Sequence, residues 1–195
     1  TMLAMCQPGE DGHTYMGARI GGIPYAHLRQ AVAAGDPQAK EARQLGKVAN
    51  LSLQYRTSAR RLRDVARTSY GVLLTEQQAV LAHQTYRETY IGVPQYWRSA
   101  IATARSRGYA ETLAGRRVHL PRVWDRSLAW SLESTAINYP IQGTGADQKY
   151  LALAVLKNSM RQDGVYFYFE LHDGIILIMP TNKVDTLCRK YKKLL

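Results

Sequence analysis

Arg43, Lys47, Leu51 and Tyr55 recur every four residues, so on a helix each advances about 40° and the set forms a slanted stripe roughly 18 Å long. Two cations, an apolar side chain and a phenol in that order could hold a nucleoside triphosphate lengthwise. The guanidinium and ammonium would meet phosphates, and the Leu51 and Tyr55 end would lie against the base. The same spacing describes a solvated amphipathic helix whose cations point at water. Spacing alone leaves both readings open.

A second place for chemistry is Asp173. His172-Asp173-Gly174 separates two β-branched and aromatic runs, Val165 to Glu170 and Ile175 to Met179, which is the pattern of a tight antiparallel hairpin with Asp173 at its tip. A carboxylate on a rigid turn suits magnesium, which takes hard oxygen ligands from one or two carboxylates plus substrate phosphates. Asp-Gly is equally favoured in such turns for backbone reasons alone. The third place is the stretch from Glu133 to Asp147, where amides and hydroxyls interrupt an apolar pattern around Pro140. Asn138 and Gln142 are four apart, and amides that both donate and accept can read minor-groove acceptor atoms with little sequence preference. Capping and satisfaction of buried amides is the alternative. Arg116-Arg117 beside Gly115, and Arg60, Arg61, Arg63 and Arg67, suit phosphate contacts as well as a generic basic surface. His13 and His172 have no second ligand at zinc-like spacing, and no P-loop, nucleophile elbow or dinucleotide fingerprint is present.

The elements that must position these residues follow from composition and punctuation. At 195 residues the chain suits one domain with one core, and 46% hydrophobic with 21% charged residues is a globular balance. No run of 18 apolar residues could span a bilayer. With 26 Lys and Arg against 15 Asp and Glu the net charge is +11, which favours a polyanionic partner such as nucleic acid, nucleotide or an acidic membrane surface. Two cysteines are too few for a disulfide framework or a zinc site and suit a reducing compartment. Residues 1–35 read as loops and short helices. Asp36-Pro37 opens a helix that should run through Lys47 to about Tyr55. Ser58 to Ser69 is a second, basic helix ending near Gly71. Thr75-Glu76-Gln77-Gln78 is a capping box opening a third towards Tyr90, and Pro94 starts a fourth ending near Gly108. Tyr109 to Pro121 reads as a hairpin around Ala114-Gly115. Ser131 to Met160 reads as helical with an interruption at Tyr139-Pro140, and a basic helix closes the chain.

Taken in order, these pieces resemble the polymerase domain of family A DNA polymerases, the DNA polymerase I group and its phage relatives. Arg43-x3-Lys47-x7-Tyr55 resembles the fingers-helix motif, and Gly108 to Arg117 resembles the segment that follows the fingers. Ala136-Ile137-Asn138-Tyr139-Pro140-Ile141-Gln142-Gly143-Thr144 and Leu171-His172-Asp173 resemble two palm motifs. Asp11-Gly12-His13-Thr14 resembles the short Asp-x-His-Thr element upstream of the fingers helix.

The resemblance implies an α+β fold, with a mainly helical fingers subdomain over about 14–107 and part of an antiparallel-sheet palm over about 108–195, its 165–179 hairpin carrying Asp173. It implies DNA-directed DNA polymerisation, with Arg43, Lys47 and His13 on the triphosphate, Leu51 in the same nucleotide pocket and Tyr55 near the templating base. Asp173 would ligate catalytic Mg2+, two ions being expected in the complete site. Asn138, Gln142 and His172 would contact primer-template DNA near the growing end, and Arg116 or Arg117 its backbone. Leu51 stands where the family has Phe or Tyr, Arg56 where Gly follows Tyr55, Ser134 where Arg is usual and Gly174 where Glu follows Asp173. These departures suggest a divergent, phage-encoded member working in the bacterial cytoplasm. The family's first catalytic Asp motif, its thumb and its last strands find no match in this sequence. A further polypeptide segment or partner chain is therefore expected to supply the second Asp. A non-catalytic DNA-binding module derived from a polymerase, and a single-subunit RNA polymerase, are the competing readings.

Overall fold

The computed structural model describes residues 2–171 and 174–194. His172 and Asp173, and the expectations that rest on them, lie outside the described residues. The chain forms two compact units that divide between Ala102 and Thr103.

The first unit is helical. α1 (Gly12–Gly21), α2 (Tyr25–Ala33), α3 (Pro37–Leu53), α4 (Ala59–Tyr70) and α5 (Glu76–Thr89) are followed by α6 (Gly92–Arg107), which runs on past the division. The starts obey the sequence punctuation. Asp36 accepts from the Ala39 amide at 2.7 Å with Pro37 in the first turn, Ser58 accepts from the Arg61 amide, and Thr75 with Gln78 forms a complete capping box. Met16, Val48, Leu53, Leu62, Ala66, Ala82, Tyr86 and Tyr90 share one buried core. One face each of α1, α3, α4 and α5 is thereby committed inward, leaving the opposite faces for ligands.

α3 stops at Leu53, two residues short of the expected Tyr55. The stop has two visible causes. Arg56 takes φ +64°, a left-handed conformation that cannot continue a right-handed helix, and its amide donates to the Leu53 carbonyl. Trp97 of α6 then donates its indole N–H to the Gln54 carbonyl at 2.8 Å, satisfying an acceptor that the helix end leaves over. Tyr55 consequently lies in the turn after α3 rather than on its stripe.

The second unit carries both small sheets. β1 (Tyr109–Glu111) and β2 (Arg117–His119) pair antiparallel around a turn in which Gly115 has φ +86°. β3 (Tyr166–Leu171) and β4 (Gly174–Ile178) form the second antiparallel pair, from Tyr166 opposite Ile178 to Leu171 opposite Gly174. α7 (Ala129–Asp163) and α8 (Val184–Leu194) complete it. Leu156 and Met160 of α7, Val165, and Leu187 and Tyr191 of α8 form one core; Ala104, Ala110, Leu120 and Ala136 form another. Helices with small antiparallel sheets are the α+β class expected from sequence.

The interruption expected at Tyr139-Pro140 does not occur: α7 is continuous over 35 residues, about 52 Å, with Pro140 inside it. Proline removes only the rung from its own nitrogen to the Ala136 carbonyl. The helix around it is also held from outside. Arg116 donates to the Gly143 carbonyl at 3.0 Å, to the Tyr139 hydroxyl at 3.3 Å and to Asp147 at 2.7 Å, so one guanidinium braces α7 on both sides of the proline.

Candidate functional site

In the first unit the site is built where α1 and α3 cross. Gly17 and Gly46 meet there with almost no space between the backbones. A Cβ on Gly46 would lie 2.1 Å from the His13 carbonyl oxygen and 2.4 Å from the Gly17 nitrogen, and one on Gly17 would lie 2.2 Å from the Ala42 carbonyl oxygen. Such an approach is open only to glycine. It brings the first turn of α1 against the cationic stretch of α3.

Asp11 organises that junction. Its carboxylate caps α1 by accepting from the His13 and Thr14 amides, takes the Thr14 hydroxyl at 2.7 Å, and receives Arg43 Nε at 2.7 Å. Burial alone would raise the Asp11 carboxyl, but the hydrogen bonds from Arg43 and Thr14 outweigh it and hold the pKa at about 2. Only Nε of Arg43 is used in this bond, so the two terminal nitrogens keep their donors for a second anion.

His13 is half-buried on the same junction. Asn50 donates to the Gly12 carbonyl at 2.8 Å and lies 3.3 Å from His13 Nδ1. With the amide donating to Nδ1, the imidazole proton sits on Nε2. Burial lowers the His13 pKa and the Arg43 and Lys47 charges lower it further, against the opposing pull of Asp11. His13 is therefore a neutral donor at pH 7 rather than a third cation. Lys47 and Leu51 lie one and two turns beyond Arg43 on α3, Leu51 exposed and Lys47 half-buried. Of the residues expected to meet a triphosphate, the structure brings together Arg43, Lys47 and His13. Tyr55 belongs to the same unit but leaves the helical stripe.

Three contributors to this junction were not singled out from the sequence: Asp11 as the partner of Arg43, Asn50 as the partner of His13, and the Gly17 and Gly46 pair. The cap pattern Asp11-x-x-Thr14 was a usable signal for the first. Glycines in the interior of two helical stretches were a usable signal for the last, since helix interiors otherwise disfavour glycine.

In the second unit Asn138 and Gln142 are both exposed, one turn apart on α7. Arg116 makes the brace described above and its guanidinium lies 5.5 Å from the Tyr139 ring centroid; Arg117 pairs with Glu111 at 2.6 Å and stacks 4.4 Å from the Tyr109 ring. Both arginines thus spend donors inside their own unit. Lys149 of α7 pairs with Glu170 of β3 at 2.5 Å, and Tyr150 donates to the other Glu170 oxygen at 3.2 Å. The hydrogen bond from Lys149 holds the Glu170 carboxyl below the usual range. This clasp ties β3 to α7 three residues before Asp173. Among the described residues no group of three or more His, Cys, Asp or Glu is placed to hold a metal ion, and no helix is long and apolar enough to cross a membrane.

Comparison with known proteins agrees with the motifs. The family model for DNA polymerase family A matches residues 1–195. The chain is 30% identical over 196 residues to the thermostable DNA polymerase I of Thermus aquaticus, covering 100% of this chain and 22% of that protein. It is 30% identical over 189 residues to DNA polymerase I of Pseudomonas aeruginosa, covering 95% of this chain and 19% of that protein. The chain thus spans about a fifth of the length of these relatives. Among solved structures, the polymerase domain of Pol1 from M. smegmatis, in complex with a DNA primer-template and dNTP, superposes with a TM-score of 0.73 at 24% identity, covering 95% of this chain and 31% of that one; at that identity it speaks for the fold. The chain belongs to DNA polymerase family A.

Proposed function

We propose that this chain supplies the fingers, about residues 14–107, and part of the palm, about 108–195, of a DNA-directed DNA polymerase acting in the cytoplasm on primer-template DNA and dNTPs. The observation that carries this reading is the junction of α1 and α3. Arg43 is oriented by Asp11, His13 is neutral with its proton on Nε2, and Lys47 lies one turn further along α3, in a chain that matches the family over its whole length.

In the reaction the primer 3′-hydroxyl attacks the α-phosphorus; the new P–O bond forms as the bond to the bridging oxygen breaks and pyrophosphate leaves. This chain's part is mostly positioning and charge neutralisation. Arg43, pinned through Nε, presents its terminal nitrogens to the triphosphate in a geometry that costs little ordering when the nucleotide arrives. Lys47 adds a compact cation, suited to the charge that grows on the leaving pyrophosphate. His13 donates from Nε2 without changing its charge near neutral pH. Leu51 and Tyr55 offer apolar and aromatic surface to the base and the templating position, and Asn138, Gln142 and His172 hold the primer-template near its growing end. Arg116 and Arg117 contact the nucleic-acid backbone with the donors their internal pairs leave over.

Asp173 is the residue that would hold magnesium. A carboxylate is a hard oxygen donor of the type magnesium takes, and it stands in sequence between Leu171 and Gly174, which pair across the hairpin. Magnesium bound there would neutralise phosphate charge and make the attacking hydroxyl more acidic. A second aspartate is supplied by a further polypeptide segment or partner chain. The Leu51, Arg56, Ser134 and Gly174 departures support a divergent, phage-encoded member.

Primer extension by the polymerase containing this chain tests the reading. The Asp173→Ala variant is expected to lose magnesium-dependent extension by at least a hundredfold while binding primer-template with unchanged affinity. Extension at the parental rate would overturn the assignment, and ribonucleotide use equal to deoxyribonucleotide use would favour the RNA-polymerase reading.

A further inference from the structure

The crossing of α1 and α3 buries part of an amide. Asn50 follows Arg43 by seven residues and Lys47 by three. On a helix the three fall within about 60° of one another, on the side of α3 that meets the first turn of α1. The Asn50 amide nitrogen is 2.8 Å from the Gly12 carbonyl oxygen and 3.3 Å from His13 Nδ1. Its carbonyl oxygen is buried and has no hydrogen-bond partner among the described residues. An orphaned acceptor is a cost that an apolar side chain of similar size would avoid. What the amide contributes in return is the pair of bonds made by its nitrogen.

Chemistry fixes which way that amide faces. A backbone carbonyl only accepts, so the Asn50 nitrogen and not its oxygen is turned to Gly12. The nitrogen carries two hydrogens, and with one on Gly12 the other is left for the imidazole nitrogen beside it. A proton on Nδ1 would set hydrogen against hydrogen. Asn50 thus works against both the imidazolium and the neutral form that is protonated on Nδ1. The charged groups that face His13 are Asp11, ahead of α1, and Arg43 and Lys47 on α3. Tyr90 of α5 adjoins Asn50, and Tyr25 of α2 takes the Asp11 amide; burial raises both phenols, Tyr90 to about 12, so neither charges near neutral pH.

We propose that Asn50 is the positioning residue of His13, holding Nδ1 as an acceptor so that Nε2 carries the proton that a nucleotide phosphate accepts. The inference rests on the polymerase reading above, in which His13 meets the triphosphate. A neutral imidazole has one proton for two nitrogens. Only the form protonated on Nε2 offers a donor there; the other form presents a lone pair to an anion. Asn50 selects between them from the far side of the ring, without touching the nucleotide. The isosteric Asn50→Asp change reverses the selection. An acceptor then faces Nδ1 and draws the proton to that nitrogen, and the added negative charge favours the imidazolium. When that imidazolium loses a proton as pH rises, it loses the one on Nε2.

The test uses the polymerase containing this chain, with isotopically labelled histidine and the His13 ring signals in nuclear magnetic resonance identified by their loss in His13→Gln. In the parent the ring is expected to be neutral at pH 7 with its proton on Nε2. A proton on Nδ1 would overturn the proposal, and this measurement needs no altered side chain at Asn50. In Asn50→Asp the midpoint of His13 titration is expected to lie about one pH unit or more above the parent's. The KM for dNTP, taken as a ratio to the parent at each pH, should rise about tenfold from about pH 6 to about pH 9 while the ratio of kcat values stays level. An amide that only supported the fold would not produce that profile. An unmoved midpoint or a level KM ratio would overturn the proposal. His13→Gln separates the two possible failures. If it raises the KM for dNTP while the parent's proton lies on Nδ1, the role of Asn50 alone is wrong; if its KM is parental, His13 does not serve the triphosphate and that part of the polymerase reading has failed.

Discussion

At the scale of single residues, the site depends on a carboxylate whose hydrogen bonds hold the site's own residues in place. Asp11 caps a helix and aims Arg43, and both tasks require its charge. Its folded pKa of about 2 lies below the ordinary 3.8, so between these values the unfolded chain binds more protons than the folded one. The stability Asp11 contributes is complete above about pH 4 and is lost as pH falls through 2. Thermal denaturation followed by circular dichroism across pH 2–6 is expected to show a steep acid limb for the parent and a shallower one for Asp11→Asn. Two equally steep limbs would remove Asp11 from the junction. Arg56 is the other residue with a cost of its own. It holds a left-handed conformation worth about 1 kcal/mol of strain, at a position where the sequence resemblance leads one to expect glycine. That strain is what turns the chain from α3 towards α4.

At the scale of elements, the crossing of α1 and α3 sets the positions of His13, Arg43 and Lys47, the side chains proposed to meet the triphosphate, and glycine permits it. Gly46→Ala is expected to cost about 3 kcal/mol, because its Cβ would meet backbone, which cannot move aside as a side chain can. Gly145→Ala on α7 is the matched control. An added Cβ there meets nothing within 4 Å, and the variant should be more stable by about 1 kcal/mol, as for glycine in any open helix interior. Chemical denaturation of the two variants reads both effects, and equal stabilities would mean that the helices do not approach as described. These elements also mark how far the sequence could be read. Helix starts were legible because caps act locally: Asp36-Pro37, Ser58 and the Thr75 box all sit where their side chains demand. The end of α3 was not, because Arg56 lacks the usual signature of a left-handed residue and Trp97 caps the end from 43 residues away. The run through Pro140 was not, because its brace comes from Arg116 on a hairpin.

At the scale of the whole molecule, charge and family agree. A net charge of +11 pointed to a polyanion, and the ordered motifs pointed to the family that the full-length match established. The α+β class was legible from those motifs, whereas periodicity alone gave only a mixture of helix and strand. Candidate residues were legible where chemistry imposes a spacing, as for Arg43 and Lys47. The residues that hold them, Asp11, Asn50 and the two glycines, became visible only when the helices were seen to cross. The exposed end of this crossing is proposed to bind the incoming triphosphate. Its most direct test is nucleotide incorporation by Lys47→Ala in the polymerase containing this chain, with DNA affinity measured on the same preparation. The rate of nucleotide use is expected to fall by about a hundredfold with primer-template affinity unchanged; incorporation at the parental rate would show that Lys47 does not serve the triphosphate.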